Sequence, residues 1–228
     1  RIMAFEGAIL DFDGTLVDSI DAWHDLEGVL AREAQATVTL EDRKQLIPMS
    51  LDEIAQWFHG RFGLGKDARA VRNLMDEYMV DALSHSKALP GVEAFLESCK
   101  RAEVKLTVAS SSPQLYLQTA LKALGLLPYF EAVLSVEDLG TTKRQPGIFE
   151  EARRIMATPK EATWGFDDSF YALQVLHNAG YPTVGIFDPH EGYTFEEWQQ
   201  EADVVVRGFD ELSLATLEAY PVKNEQKN

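Results

Sequence analysis

Hydrophobic and polar positions follow two different patterns along this chain. From Leu89-Pro90-Gly91 onward, short apolar runs alternate with amphipathic segments of helical period. The runs predict strands at Lys105–Ala109, Ala132–Val136, Ala162–Phe166, Thr183–Phe187 and Asp203–Val206. The segments between them predict helices at Val92–Arg101, Gln114–Leu124, Ile148–Met156, Tyr171–Ala179 and near Glu211–Leu217. One more apolar run, Ala8 to Leu10, predicts a buried strand ahead of all of these. Helix and strand in alternation imply parallel crossovers, with helices on both faces of the sheet. From Val17 to Lys87 strand alternation is missing. Helices are expected near Ile20–Ala34, Leu51–Phe62 and Ala68–Ser84, with Pro48, Gly63 and Gly65 as breaks. The expected fold class is therefore α/β, a parallel sheet core with a small all-helical domain inserted after strand one. The core takes residues 1–16 and 89–228, and the insert takes 17–88. The polar tail Pro221–Asn228 is expected to fray.

The predicted strands end in polar groups. The first runs into Asp11-Phe12-Asp13-Gly14-Thr15, followed by Asp18-Ser19. On an extended backbone the two-residue spacing points both carboxylates the same way. Gly14 ends the strand, and Asp18 or Ser19 suits the N-cap of the next helix. Two like charges this close need a shared proton or a cation to offset them. Hard oxygen ligands suit Mg2+. The second strand ends in Ser110-Ser111-Ser112-Pro113, whose hydroxyl and backbone N–H groups can meet an anion; a loop and helix cap is the plain alternative. Lys143 precedes a helix start, where a point cation can sit between a carboxylate and a phosphate, or simply in solvent. Another strand ends in Gly165-Phe166-Asp167-Asp168-Ser169, a second acid pair that fits either a helix cap or a cation. Singly, each motif has an ordinary structural reading. An acid pair, a serine, a lysine and an acid pair, in that order at successive strand ends, is hard to obtain by chance.

Charge and composition narrow the classes. A 228-residue chain with 46% hydrophobic and 25% charged residues is that of a soluble globular protein. The net charge of −16 argues against a nucleic-acid partner, because phosphate backbones are bound with Lys and Arg. No apolar run reaches the roughly 18 residues of a membrane span. No leader-type run precedes the first strand, and cleavage there would remove Asp11. The single cysteine, Cys99, lies on the apolar face of a predicted helix, so it is expected as a small core residue in a reducing, cytoplasmic setting.

The ordered motifs resemble those of the haloacid dehalogenase (HAD) superfamily. Asp11, Asp13 and Thr15 look like its first motif, Ser110 its second, Lys143 its third, and Asp167 with Asp168 its fourth. The insert is placed like a C1-type helical cap, and the core would be Rossmann-like. The nearest resemblance is to phosphatases similar to β-phosphoglucomutase and phosphoglycolate phosphatase. Three positions depart from the usual pattern: Arg144 stands where a proline is usual, Gly147 where an aspartate is usual, and Ala172 where a glycine is usual.

The resemblance implies a Mg-dependent phosphomonoester hydrolase acting on a small phosphorylated metabolite. Asp11 would be the nucleophile and Asp13 the acid/base. Gly14, Thr15, Ser110, Ser111 and Lys143 would hold the phosphate. Mg2+ would be held by Asp11, the Asp13 backbone carbonyl and Asp168, with Asp167 acting through a water. Trp23, His24 and Met49, with His59, are the cap positions expected to set specificity. The alternatives are a β-phosphoglucomutase-like mutase and a non-catalytic phosphate-binding module of the same fold. Against the mutase, the positions matching its cap histidine, cap arginine and second lysine are Trp23, Leu51 and Pro113. The oligomeric state is left open, and a monomer suffices for every part named.

Overall fold

The computed structural model describes residues 4–220, so the tail 221–228 lies outside the described residues. Two compact units emerge, one of residues 19–86 and one formed by the chain on either side of them.

The larger unit is built on a six-stranded, wholly parallel sheet. Its strands are β1 (Gly7–Leu10), β2 (Lys105–Ser110), β3 (Ala132–Ser135), β4 (Thr163–Asp167), β5 (Thr183–Ile186) and β6 (Val204–Val206). Their order is β3-β2-β1-β4-β5-β6. All residues of β1, β4 and β5 are buried, as expected of strands covered on both faces. On one face Ile9 and Ala109 pack against Ile148, Phe149, Ala152 and Met156 of α8 (Gly147–Met156) and Ala172 and Leu176 of α9 (Phe170–Asn178). On the other face Phe166 meets Phe5, Phe209 and Phe95, the last on α5 (Val92–Arg101). This is the expected Rossmann-like α/β core. The sheet order reverses between β1 and β4, and in open parallel sheets the crevice at such a reversal is where ligands bind.

The smaller unit is all-helical: α1 (Ile20–Glu33), α2 (Leu40–Leu46), α3 (Leu51–Phe62) and α4 (Ala68–Ser84). Leu26, Leu30, Phe58, Val71, Met75, Met79 and Leu83 form its buried side. Capping boxes start α2, between Thr39 and Asp42, and α3, between Ser50 and Glu53. Gly63 ends α3 at φ 69°.

The strands lie within a residue of their expected bounds, and the larger differences are in short helices. Helix α2 lies in a stretch left without an element. The expected helix near 211–217 is instead a 3-10 turn at Phe209–Glu211 followed by α11 (Leu214–Glu218), because Ser213 caps the latter. Short helices α7 (Val136–Leu139) and α10 (Phe195–Glu201) fill loops, and α6 is the expected Gln114–Leu124. Among the described residues no helix is long and apolar enough to cross a membrane.

Candidate active site

Register alone brings the first groups together. Leu10 pairs with Phe166 across β1 and β4, so the next residues, Asp11 and Asp167, emerge side by side. The Asp11 N–H donates to Phe166 O at 2.9 Å and fixes that level. Beyond Asp11 the chain folds into a tight loop. The N–H groups of Thr15, Leu16 and Val17 all donate to Phe12 O, and Gly14 takes φ 74° to let the chain turn.

Asp11 is held by both oxygens. Lys143 Nζ donates to Oδ1 at 2.6 Å, and Thr15 Oγ1 donates to Oδ2 at 3.0 Å. Lys143 reaches in from the loop before α8, is 3% exposed, and also donates to Asp167 Oδ2 at 2.9 Å. It therefore bridges two carboxylates. Asp167 takes a further bond, from the Ser169 N–H to Oδ1 at 3.0 Å. Ser169 stands at the N-cap of α9 but makes no side-chain cap bond. Asp168 completes the group: one oxygen from each of Asp11, Asp167 and Asp168 lies within 4.8 Å of the others.

The charges in this cluster do not balance. Burial alone would lower the Lys143 ammonium, but Asp11 and Asp167 overcome it and hold the lysine firmly charged. Burial first, then the Asp11 and Asp167 charges, push the Asp168 carboxyl well above the ordinary carboxylate range. Burial and Asp11 push Asp167 up as well, against the pull of Lys143. One ammonium against three carboxylates, with Asp167 fully buried, leaves negative charge that a proton or a cation must offset. Three hard oxygen donors at converging strand ends are the donor set a divalent ion such as Mg2+ takes.

Asp13 lies outside that trio. Its Oδ2 accepts from Ser112 Oγ at 2.5 Å. Ser110 is buried, and its Oγ accepts from the Ser112 N–H at 2.9 Å, which leaves its own O–H to donate. Ser111 is exposed. Two residues expected at the phosphate make bonds within the loop. The Gly14 N–H donates to Val17 O, and Thr15 spends its N–H on Phe12 O and its hydroxyl on Asp11. Both residues shape the loop and hold Asp11. Ser112, the partner of Asp13, escaped the sequence analysis; its only signal was a third serine in a run that one serine sufficed to explain.

The helical unit holds a cavity of about 570 Å³ lined by Trp23, His24, Leu30, Ile54 and Phe58 among others, with the Glu27–Arg43 ion pair (2.7 Å) in its wall. Trp23 and His24 thus lie where a ligand has room. Met49 does not line this cavity, and the His59 ring bonds Leu64 O at 2.8 Å within the end of α3. Cys99 is fully buried, and burial pushes its thiol up to about 12, as fits a core residue.

The sequence profile of the haloacid dehalogenase-like hydrolases matches residues 8–186. The phosphoglycolate phosphatase of Rhodobacter capsulatus is 26% identical over 181 residues, covering 77% of this chain and 81% of that protein. Among solved structures, CbbY from Rhodobacter sphaeroides, in complex with phosphate, superposes with TM-score 0.75 at 19% identity, covering 94% of this chain and 99% of that one. The β-phosphoglucomutase of Clostridium difficile superposes with TM-score 0.73 at 18% identity, covering 94% and 96%.

Proposed function

Because the chain belongs to the haloacid dehalogenase-like hydrolases, and is a phosphatase among them, we propose that it hydrolyses a small phosphomonoester by way of a phosphoryl group carried on Asp11. The observation that carries this reading is the clamp on Asp11: one carboxylate oxygen is held by Lys143, the other by Thr15, beside two further acids. A nucleophile so oriented begins in an attack-ready geometry.

In the first half-reaction an Asp11 oxygen attacks phosphorus in line. The bond from phosphorus to the ester oxygen breaks, and Asp13 gives its proton to that oxygen. In the second half, Asp13, now a carboxylate, takes a proton from water. The water oxygen attacks phosphorus, and the bond to Asp11 breaks. Phosphate leaves, Asp11 is restored, and Asp13 again holds a proton. Lys143, the Ser110 hydroxyl and the Ser111 N–H steady the phosphoryl oxygens through both halves. Asp11 and Asp168 would hold Mg2+ with the Asp13 carbonyl, and Asp167 would act through a water. When bound, the ion supplies positive charge opposite the phosphoryl oxygens and relieves the repulsion among the carboxylates.

In this reading residues 17–88 are the cap that selects the substrate. A panel of phosphate esters, sugar phosphates beside aryl and branched alkyl phosphates, identifies the preferred alcohol through kcat/KM. The activity itself is tested by phosphate release from p-nitrophenyl phosphate. Release should require Mg2+ and should vanish in Asp11→Asn; turnover retained by a clean Asp11→Asn preparation would rule out this nucleophile.

A further inference from the structure

Ser112 is fastened more completely than a loop serine needs to be. It is 3% exposed. Its N–H donates to Ser110 Oγ at 2.9 Å, at the end of β2. Its carbonyl accepts from Ser135 Oγ at 2.7 Å, at the end of the neighbouring β3. Ser110 and Ser135 are register partners across those strands, so the sheet grips Ser112 from both sides. Ser135 is itself 1% exposed and caps α7 through the Glu137 N–H. What remains mobile is the Ser112 hydroxyl, and its oxygen lies 2.5 Å from Asp13 Oδ2.

We propose that Ser112 is a positioning residue for proton transfer, holding the Asp13 carboxyl in one orientation through both halves of the reaction. This rests on the phosphatase reading with Asp13 as acid and base. Asp13 must serve in two protonation states, and a fixed donor would suit only one of them. A hydroxyl suits both: it donates to the carboxylate and, by turning its hydrogen, accepts from the acid. Because the Ser112 backbone is pinned to two strands, the heavy atoms stay in place while the hydrogen turns. Ser112 moves no proton to substrate; it keeps the group that does so aimed at the ester oxygen.

The test is the dependence of rate on leaving-group basicity. With the full chain and Mg2+, kcat/KM is measured for a series of para-substituted phenyl phosphates, from p-nitrophenyl phosphate to phenyl phosphate. A misaimed acid harms the more basic leaving groups most. In Ser112→Ala the loss on phenyl phosphate should exceed the loss on p-nitrophenyl phosphate by about tenfold, a fraction of the roughly 10²-fold that a 1 Å misplacement of a reacting group can cost. Ser112→Thr, which keeps the hydroxyl, should restore the wild-type slope. Should the alanine variant fail to fold by circular dichroism, Ser112→Cys gives the same comparison. An equal loss on every ester, or no loss, overturns the proposal. Asp13→Asn separates the two readings. A steep slope there with a wild-type slope in Ser112→Ala sinks Ser112 alone, whereas a wild-type slope in Asp13→Asn sinks the acid role and this inference with it.

Discussion

At the scale of the residue, the site is a contest among buried charges, and Lys143 decides its outcome. The lysine is 3% exposed and bonded to Asp11 and Asp167, so its removal takes away the cation that bridges two of the three clustered carboxylates. Lys143→Met should lower kcat on p-nitrophenyl phosphate by about 10²–10³-fold, the usual loss for one preorganised electrostatic group. It should also destabilise the fold by roughly 3 kcal/mol, as breaking one side of a buried ion pair does. Steady-state kinetics and a urea melt check the two halves separately, and near-wild-type turnover would remove Lys143 from the site. Much at this scale is legible in the chain. Asp11 and Asp13 announce themselves by spacing, and Asp167 and Asp168 by repeating an acid pair at a strand end. Ser112 and the bond from Thr15 to Asp11 are not legible. A hydroxyl's partner depends on where a loop folds back, and serine and threonine suit caps, turns and anions equally well.

At the scale of the element, period and punctuation carry most of the information. Strands buried on both faces read as apolar runs, and the helices between them read at 3.6-residue spacing. The missed element, α2, shows where that fails. Its seven residues, Leu40–Leu46, are too few and too polar to show a period, yet Thr39 and Asp42 form a capping box that marks its start. The turn at Leu89-Pro90-Gly91 is punctuation with a steric cause. Gly91 takes φ 82°, and a Cβ there would run into the backbone of Phe209 and Asp210. Gly91→Ala should cost about 2–3 kcal/mol from backbone strain and crowding. For a chain of this size that is a fall in Tm of roughly 5–10 °C, readable by calorimetry. A change within a degree would show that the 209–210 backbone yields freely.

At the scale of the whole molecule, the site depends on strand order. Asp11, Lys143 and Asp167–Asp168 come from three distant stretches and meet because β1 and β4 are neighbours at the point where the sheet order reverses. Concentrating acids there has a thermodynamic consequence. Asp168 and Asp167 have carboxyls raised in the folded protein by burial and by Asp11. A group raised in this way stabilises the fold while protonated. That contribution is complete below its ordinary value of 3.8 and is lost as the pH rises through the raised value. In metal-free buffer, Asp168→Asn should therefore melt above the wild type by a margin that widens from pH 4 toward neutrality. Saturating Mg2+ should reverse the order, because an ion bound only by the folded state stabilises it by mass action. A margin that does not change with pH or Mg2+ would mean that the acids are not in conflict. The sequence by itself determined the class of fold, the helical insert and the order of acid, serine, lysine and acid along the strand ends. Those follow from local periodicity and residue chemistry, which act between near neighbours. Only the tertiary structure decided that Lys143 bridges Asp11 and Asp167, that Thr15 turns inward, and that Ser112 grips Asp13. Hydrogen bonds between distant segments depend on strand register and loop path, and no window of sequence contains both of their ends.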